Sequence, residues 1–325
     1  MAISGKDFDH SVRSIPFRHF SQVSYCALRG ALMPFTRELN PGLISALNDL
    51  YVEKDSWWRA LVDDKEIFIA IRPDAINAYA HGASIARITW TGRLCLRVHR
   101  KFVVIPKTTK GDEYVDLLDE RRSTTKPLVV DSVKAYTEQL HYIKAAAGRL
   151  TGKEREDENT IALRCNCVLD IEAAFNNESA SEQSDDDTAG GRVDIVALEN
   201  GTLSLTEVKL YGNGDVRSSA IPAVCGQLQG YYTWAKENQT QIVKAYNKVA
   251  KYREELHLVS EAQPVERLDP TPRLLIVGFD RSQQSSLGGI KARIIENLNG
   301  CVPGFDKQHI RTVGSASNVR AAHLQ

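Results

Sequence analysis

The sequence predicts an α/β chain: a mixed β-sheet flanked by helices in its C-terminal half, preceded by an N-terminal α+β unit. Three observations carry this. Short β-rich runs follow one another between residues 66 and 105, with a turn signal between each pair. The stretch RVDIVALE-NG-TLSLTEVKLY (192–211) sets two β-rich runs about an Asn-Gly pair, the strongest short hairpin signal. From residue 131 onward the pattern reads helix, three strands, two helices, strand, helix, the order of a sheet covered by helices.

Along the chain, residues 42–62 have helical spacing. The β-like runs that follow are 66–72, 75–80, 84–90 and 94–105, separated by Pro73-Asp74, His81-Gly82 and Thr91-Gly92. They make an N-terminal α+β unit over 1–110, its role unassigned, with the polar segment 111–130 as a linker. A helix is predicted over 131–159, weakened by Gly148 and Gly152, and a strand over 161–175. Residues 176–188, NNESASEQSDDDT, are acidic and almost free of apolar side chains, as a solvated loop would be. After the hairpin, Pro222 opens a helix to about Trp234. A second helix spans 241–256, a buried strand 272–280 and a helix 289–298. The second domain is read as 131–313 and the tail 314–325, GSASNVRAAHLQ, as disordered.

With 325 residues, 42% hydrophobic and 25% charged, the chain has the balance of a soluble globular protein of two domains. No run approaches the roughly 18 apolar residues of a membrane span, and MAISGKDFDHSVRS lacks the apolar segment of a secretory signal, so a cytoplasmic location and no membrane partner are expected. Lys plus Arg and Asp plus Glu are both 41, so overall charge says nothing of nucleic acid, and any polyanion must meet local patches. The six cysteines include no CxxC pair, which excludes the usual zinc spacing and leaves reduced, mostly buried thiols as the expectation. The eight histidines show no HExxH or HxH cluster.

The hairpin carries the chemistry. A two-residue turn at Asn200-Gly201 sets 199 opposite 202, 196 opposite 205, and Asp194 opposite Glu207. Two carboxylates then face each other across neighbouring strands, and Lys209 lies two residues beyond Glu207 on the same face. The remaining hairpin residues are largely apolar, so both faces are expected to be buried. Opposed like charges there are unfavourable unless something compensates, and a hard divalent cation held by oxygens does so. Mg²⁺ takes one or two carboxylates, keeps several waters and leaves room for a phosphate oxygen. Lys209 is placed to orient or help deprotonate the attacking water, or to stabilise a pentavalent phosphate. The plainer alternative is an ion pair, Glu207 with Lys209 or Asp194 with Arg192.

Asp194, twelve intervening residues, then Glu207-Val208-Lys209 resembles the D-Xn-ExK core of the PD-(D/E)xK nuclease superfamily. Gln227-Leu-Gln-Gly-Tyr231 on the next helix is similar to the QxxxY motif of its RecB-like branch. The resemblance covers about residues 154–235; the proline of the family's name is absent, Val193 preceding Asp194. It implies a restriction-endonuclease-like fold and a Mg²⁺-dependent endodeoxyribonuclease, Mn²⁺ substituting, in restriction, repair or antiviral defence. Asp194, Glu207 and the Val208 carbonyl would hold the metal, with Glu172 or, second, Glu158 as the auxiliary acid. Lys209 would be the catalytic lysine, and Gln227 would orient it, the water or the phosphate. Tyr231, one helical turn on, would address the same site. Arg217, the stripe Lys244, Lys248 and Lys251, and the strand residues Arg97, His99 and Lys101 are the expected phosphate contacts. Implied partners are nucleic acid, DNA before RNA, a second copy of the chain to cut both strands, and an ATPase or helicase. Two other readings fit the same residues: a nuclease-fold scaffold or nucleic-acid-binding module without catalysis, and an RNA-directed nuclease.

Overall fold

The computed structural model describes residues 35–103, 114–118, 132–174, 191–217, 222–285 and 289–325. Asn40 caps the first helix, α1 (Pro41–Val52), accepting from the Gly42 N–H, with Pro41 in the first turn. Ser56 starts a new helix, α2 (Trp57–Asp63), by accepting from Arg59, so the stretch read as one helix over 42–62 is two. An antiparallel meander follows: β1 (Phe68–Arg72), β2 (Ala75–Ala80), β3 (Ala83–Trp90) and β4 (Leu94–His99). Its turns use Asp74, Gly82 and Gly92 at positive φ, where the sequence signals lie. The last run ends early: residues 100–103 form a short helix, α3 (Arg100–Val103), and β5 (Tyr114–Asp116) completes the sheet from within the expected linker. The rest of that linker, like the acidic loop 176–188, lies outside the described residues.

Where one helix was read over 131–159 there are three, α4 (Val133–Glu138), α5 (Leu140–Leu150) and α6 (Lys153–Arg164), broken at Gln139 and at Thr151-Gly152. Helix α6 carries Ile161 and Ala162 into the core, so the predicted strand starts later, as β6 (Val168–Ala174). A short apolar run cannot by periodicity alone be told from a buried helix end. The hairpin is β7 (Arg192–Glu199) and β8 (Thr202–Leu210), followed by the one-turn α7 (Gly214–Arg217). The two expected helices after it are a single one of 32 residues, α8 (Val224–Glu255), starting two residues beyond Pro222. Residues 231–255 contain no Gly or Pro, and Ala235, Ile242, Ala245, Tyr246 and Val249 keep one stripe buried through the polar middle. The chain continues through β9 (Arg267–Leu268), β10 (Arg273–Val277), α9 (Arg281–Gln284), α10 (Ile290–Leu298) and β11 (Ile310–Val313).

The second sheet runs β11-β10-β8-β7-β6, with β9 added to β8. β6, β7 and β8 are antiparallel, whereas β8, β10 and β11 are parallel, which makes the expected mixed sheet. Residues 34–325 form one compact unit. One hydrophobic cluster extends from Leu43, Trp58 and Ile88 to Val196, Leu205 and Tyr246, so the α+β unit set apart in the sequence shares its core with the second sheet. Buried Asp170 ties the sheets together: it pairs with Arg72 of β1 and, at 3.6 Å, with Arg37, and accepts from the Tyr246 hydroxyl at 3.0 Å.

Two further expectations are corrected. The tail after Val313 is ordered, with turns at Ala316–Asn318 and Ala321–His323, and Leu324 is 0% exposed. Ala316, Val319 and Leu324 fill a groove beside Ile161 and Val208, and the Ser204 hydroxyl donates to the Leu324 carbonyl at 2.7 Å. A few apolar residues in a polar segment suffice when a groove already exists to receive them. The cysteines are not all reduced: Cys225 and Cys301 form a disulfide, with Cα atoms 5.2 Å apart across a sequence separation of 76. Nothing in that spacing announces a pair.

Candidate active site

The hairpin register is the one the turn dictates: Glu199 pairs with Thr202, Val196 with Leu205 and Ile195 with Thr206. The ladder stops there, one step short of Asp194 and Glu207. Instead of a backbone pair, the Asp194 carboxylate accepts the Val208 N–H at 2.8 Å, so the side chain fills the gap where β7 leaves β8. On the other edge of β7, Ile171 pairs with Ile195 and Ala173 with Val193, which places Glu172 at the level of Asp194. Glu172 sits at φ 50, and the pairing is broken at that level too. Three carboxylates from three neighbouring strands thus occupy one row of the sheet.

Glu207 is 1% exposed, and both its oxygens are engaged. The Lys209 ammonium lies 2.6 Å from Oε1, and the Tyr231 hydroxyl, brought in by α8, touches Oε2 and the Arg192 carbonyl oxygen. Lys209 also meets Glu154 of α6 at 3.2 Å. Glu154 accepts in addition from the Leu210 N–H and the Asn213 side chain, so it fixes the end of β8. Glu158, one turn further along α6, is 4% exposed. Burial, together with Asp194, Glu172 and further carboxylates nearby, pushes its carboxyl well above the ordinary range. Asp194 is raised likewise by burial and Glu207, with Lys209 opposing. Burial alone would lower Lys209, yet Glu207 and Asp194 outweigh it and raise the ammonium above its usual value.

Asp194, Glu207 and Lys209 therefore come together as the sequence predicts, joined by Tyr231, Glu158 and Glu154. Glu172 is nearby but held by Arg155 at 3.2 Å and Arg192 at 3.5 Å, whereas Glu158 has neither partner. Val208 is buried between Glu207 and Lys209. Gln227 is exposed on α8 and, among the described residues, makes no hydrogen bond with Lys209 or with the carboxylates; the helix turns Leu228 and Tyr231 inward instead. Arg217 is exposed, bonded to the Gly212 carbonyl and lying 5.6 Å from the Tyr211 ring centre. Lys244 is exposed and Lys248 pairs with Glu38. Both lie about 20 Å or more along α8 from Tyr231, from 1.5 Å per residue. Glu154 escapes sequence reading because the helix that carries it begins within the stretch read as a weakening helix; only its place just after Gly152, where an acid suits a helix start, is a signal.

The donor set, all carboxylate and backbone oxygens, is of the kind a hard divalent cation takes. Among the described residues no three His, Cys, Asp or Glu side chains are yet disposed as an ion-holding group, in keeping with the partners Glu207 and Asp194 already have. Among those residues too, no helix is long and apolar enough to cross a membrane. No family model, curated protein or solved structure matches this chain.

Proposed function

We propose that this chain is a divalent-metal-dependent nuclease that hydrolyses phosphodiester bonds of DNA at the cluster of Asp194, Glu207 and Lys209. One observation carries the reading: a buried lysine is set against buried carboxylates at the frayed end of a hairpin, with a tyrosine and two further acids converging from two helices. The order α6, β6, β7, β8, α8, β10 supports a restriction-endonuclease-like arrangement around it.

Asp194, Glu207, the Val208 carbonyl and Glu158 would hold Mg²⁺ or Mn²⁺, Glu158 taking the auxiliary place because Glu172 is bound by two arginines. When bound, such an ion supplies Lewis acidity toward a phosphate oxygen and a water of lowered pKa. Lys209 is an ammonium beside its carboxylates in the metal-free chain, placed to orient a water or to stabilise charge on phosphorus-bound oxygen. Tyr231 fixes the Glu207 rotamer, and Glu154 anchors Lys209 from the other side.

A second reading, a nuclease-fold binding module without catalysis, has one observation in its favour: Lys209 and Tyr231 already satisfy both oxygens of Glu207. Purified protein incubated with supercoiled plasmid in Mg²⁺, in Mn²⁺ and in chelator separates the two. Metal-dependent nicking, abolished in Asp194→Ala and Lys209→Ala, is the expected result. Plasmid left intact in every lane, together with no heat of Mg²⁺ or Mn²⁺ binding by calorimetry, would give the place to the binding module.

A further inference from the structure

A cleft of about 640 Å³ opens where β1, the α6–β6 turn, the hairpin end of β7 and the C-terminal part of α8 meet. Its volume lies in the range of small-molecule sites. Phe68, Asn166, Cys167, Leu198, Glu199 and Arg253 are among its walls, and none of the acidic cluster is. Asp194 and Glu199 stand at opposite ends of β7, about 16 Å apart at 3.3 Å per residue.

Arg253 is the unusual member. It is 8% exposed, its NH1 donates to the Ile69 carbonyl at 3.3 Å, and its guanidinium lies 5.4 Å from the Phe68 ring centre. The Nε–H is buried without an acceptor. Among the described residues no carboxylate pairs with it, in contrast to Arg37 and Arg72, which share Asp170. Its burial accordingly draws the guanidinium down to about 10, and Asp170 only partly offsets this. A buried, unpaired cation is among the costliest groups a fold can keep. Glu199, on the same wall, has an oxygen, Oε2, that is buried and also without a donor. A cation lacking its anion and a carboxylate with an unpaired oxygen therefore belong to residues that line one cavity. An arginine guanidinium matches the two oxygens of a carboxylate or phosphate.

We propose that this cleft binds a small organic molecule bearing a carboxylate or phosphate, its anionic group held by the Arg253 guanidinium and a hydrogen-bond donor of the same molecule set against the Glu199 carboxylate. The site is independent of the nuclease reading. Thermal unfolding of the full chain, at ionic strength held constant with sodium chloride, tests it. One arm titrates inorganic phosphate and adenosine monophosphate, the other acetate and glycine.

A saturable rise in Tm of about 2–4 °C in one arm is expected. It should vanish in Arg253→Met, shrink in Glu199→Gln for the probes that carry a donor, and persist in Asp194→Ala. The arm that responds tells phosphate from carboxylate. Unliganded Arg253→Met should unfold at or above the wild-type temperature, since it removes an uncompensated charge and keeps the apolar stem. Three results overturn the proposal: no shift in either arm, a shift that survives Arg253→Met, or an unliganded Arg253→Met chain several degrees less stable than wild type, which would make the arginine a structural tie to Ile69 and Phe68.

Discussion

Glu158 shows how the acidic cluster is balanced. Its carboxyl is buried beside Asp194 and Glu172, and both burial and repulsion favour the protonated form in the folded chain. The native state therefore holds a proton that the unfolded chain releases from about pH 4.3 upward. The native state binds more protons in that window, so stability falls as pH rises from the unfolded value toward the raised folded one. Glu158→Gln removes the charged form and should be more stable than wild type at pH 8 in chelator, with the difference closing by about pH 4. Urea midpoints across that range measure it; equal midpoints for the two chains at pH 8 would show that solvent already relieves the repulsion. Asp194, Glu207 and Lys209 were legible at this scale because one turn type fixes the register of every residue behind it. Glu154 was not, and Tyr231 was expected at the site only through the QxxxY resemblance, without its contact to Glu207. Both depend on how two helices approach the sheet, and residue spacing within a helix does not contain that. Gln227 lies outside the inward stripe, which passes through Leu228 and Tyr231, because two residues one turn apart share a face only loosely.

Helix α8 is the element on which the architecture leans. It brings Tyr231 to the cluster, packs Ile242, Tyr246 and Val249 into the shared core, and carries Arg253 into the cleft. Two helices were read from its sequence because polar residues 236–241 interrupt the apolar stripe. The helix nonetheless continues, since a polar stretch without Gly or Pro has no backbone reason to stop and the buried stripes on either side are in phase. Glu237, exposed at the middle, is the place to test continuity. Glu237→Pro should lower unfolding free energy by about 3 kcal/mol or more, through a lost hydrogen bond and a ring clash with the preceding turn. A change below about 1 kcal/mol in urea would mean that the two halves behave as separate helices after all. The first three strands of the meander, by contrast, were legible to within two residues at either end, whereas the fourth stops six residues short of its expected end. Their alternation is bounded by turns that need Gly or a short polar side chain at positive φ.

For the molecule as a whole, the polar tie at Asp170 joins the two sheets alongside their shared apolar cluster. Its carboxylate is fully buried and serves Arg37, Arg72 and Tyr246, which come from three distant parts of the chain. Removing the anion strands two buried guanidinium groups, so Asp170→Asn should cost about 3–5 kcal/mol. Unfolding of that variant should remain a single transition, because the apolar cluster also runs through both sheets. Two resolved transitions would show that the sheets fold apart. This union was invisible in the sequence, where the polar segment 111–130 looks like a boundary and where a core assembled from residues far apart leaves no local signature. The disulfide between Cys225 and Cys301 adds a consequence of a different kind. It closes a covalent ring containing nearly all of α8, with β9, β10, α9 and α10. A protease that cuts once anywhere inside this ring opens the backbone without releasing a fragment, and the nicked chain runs at full mass on a gel until a reductant is added.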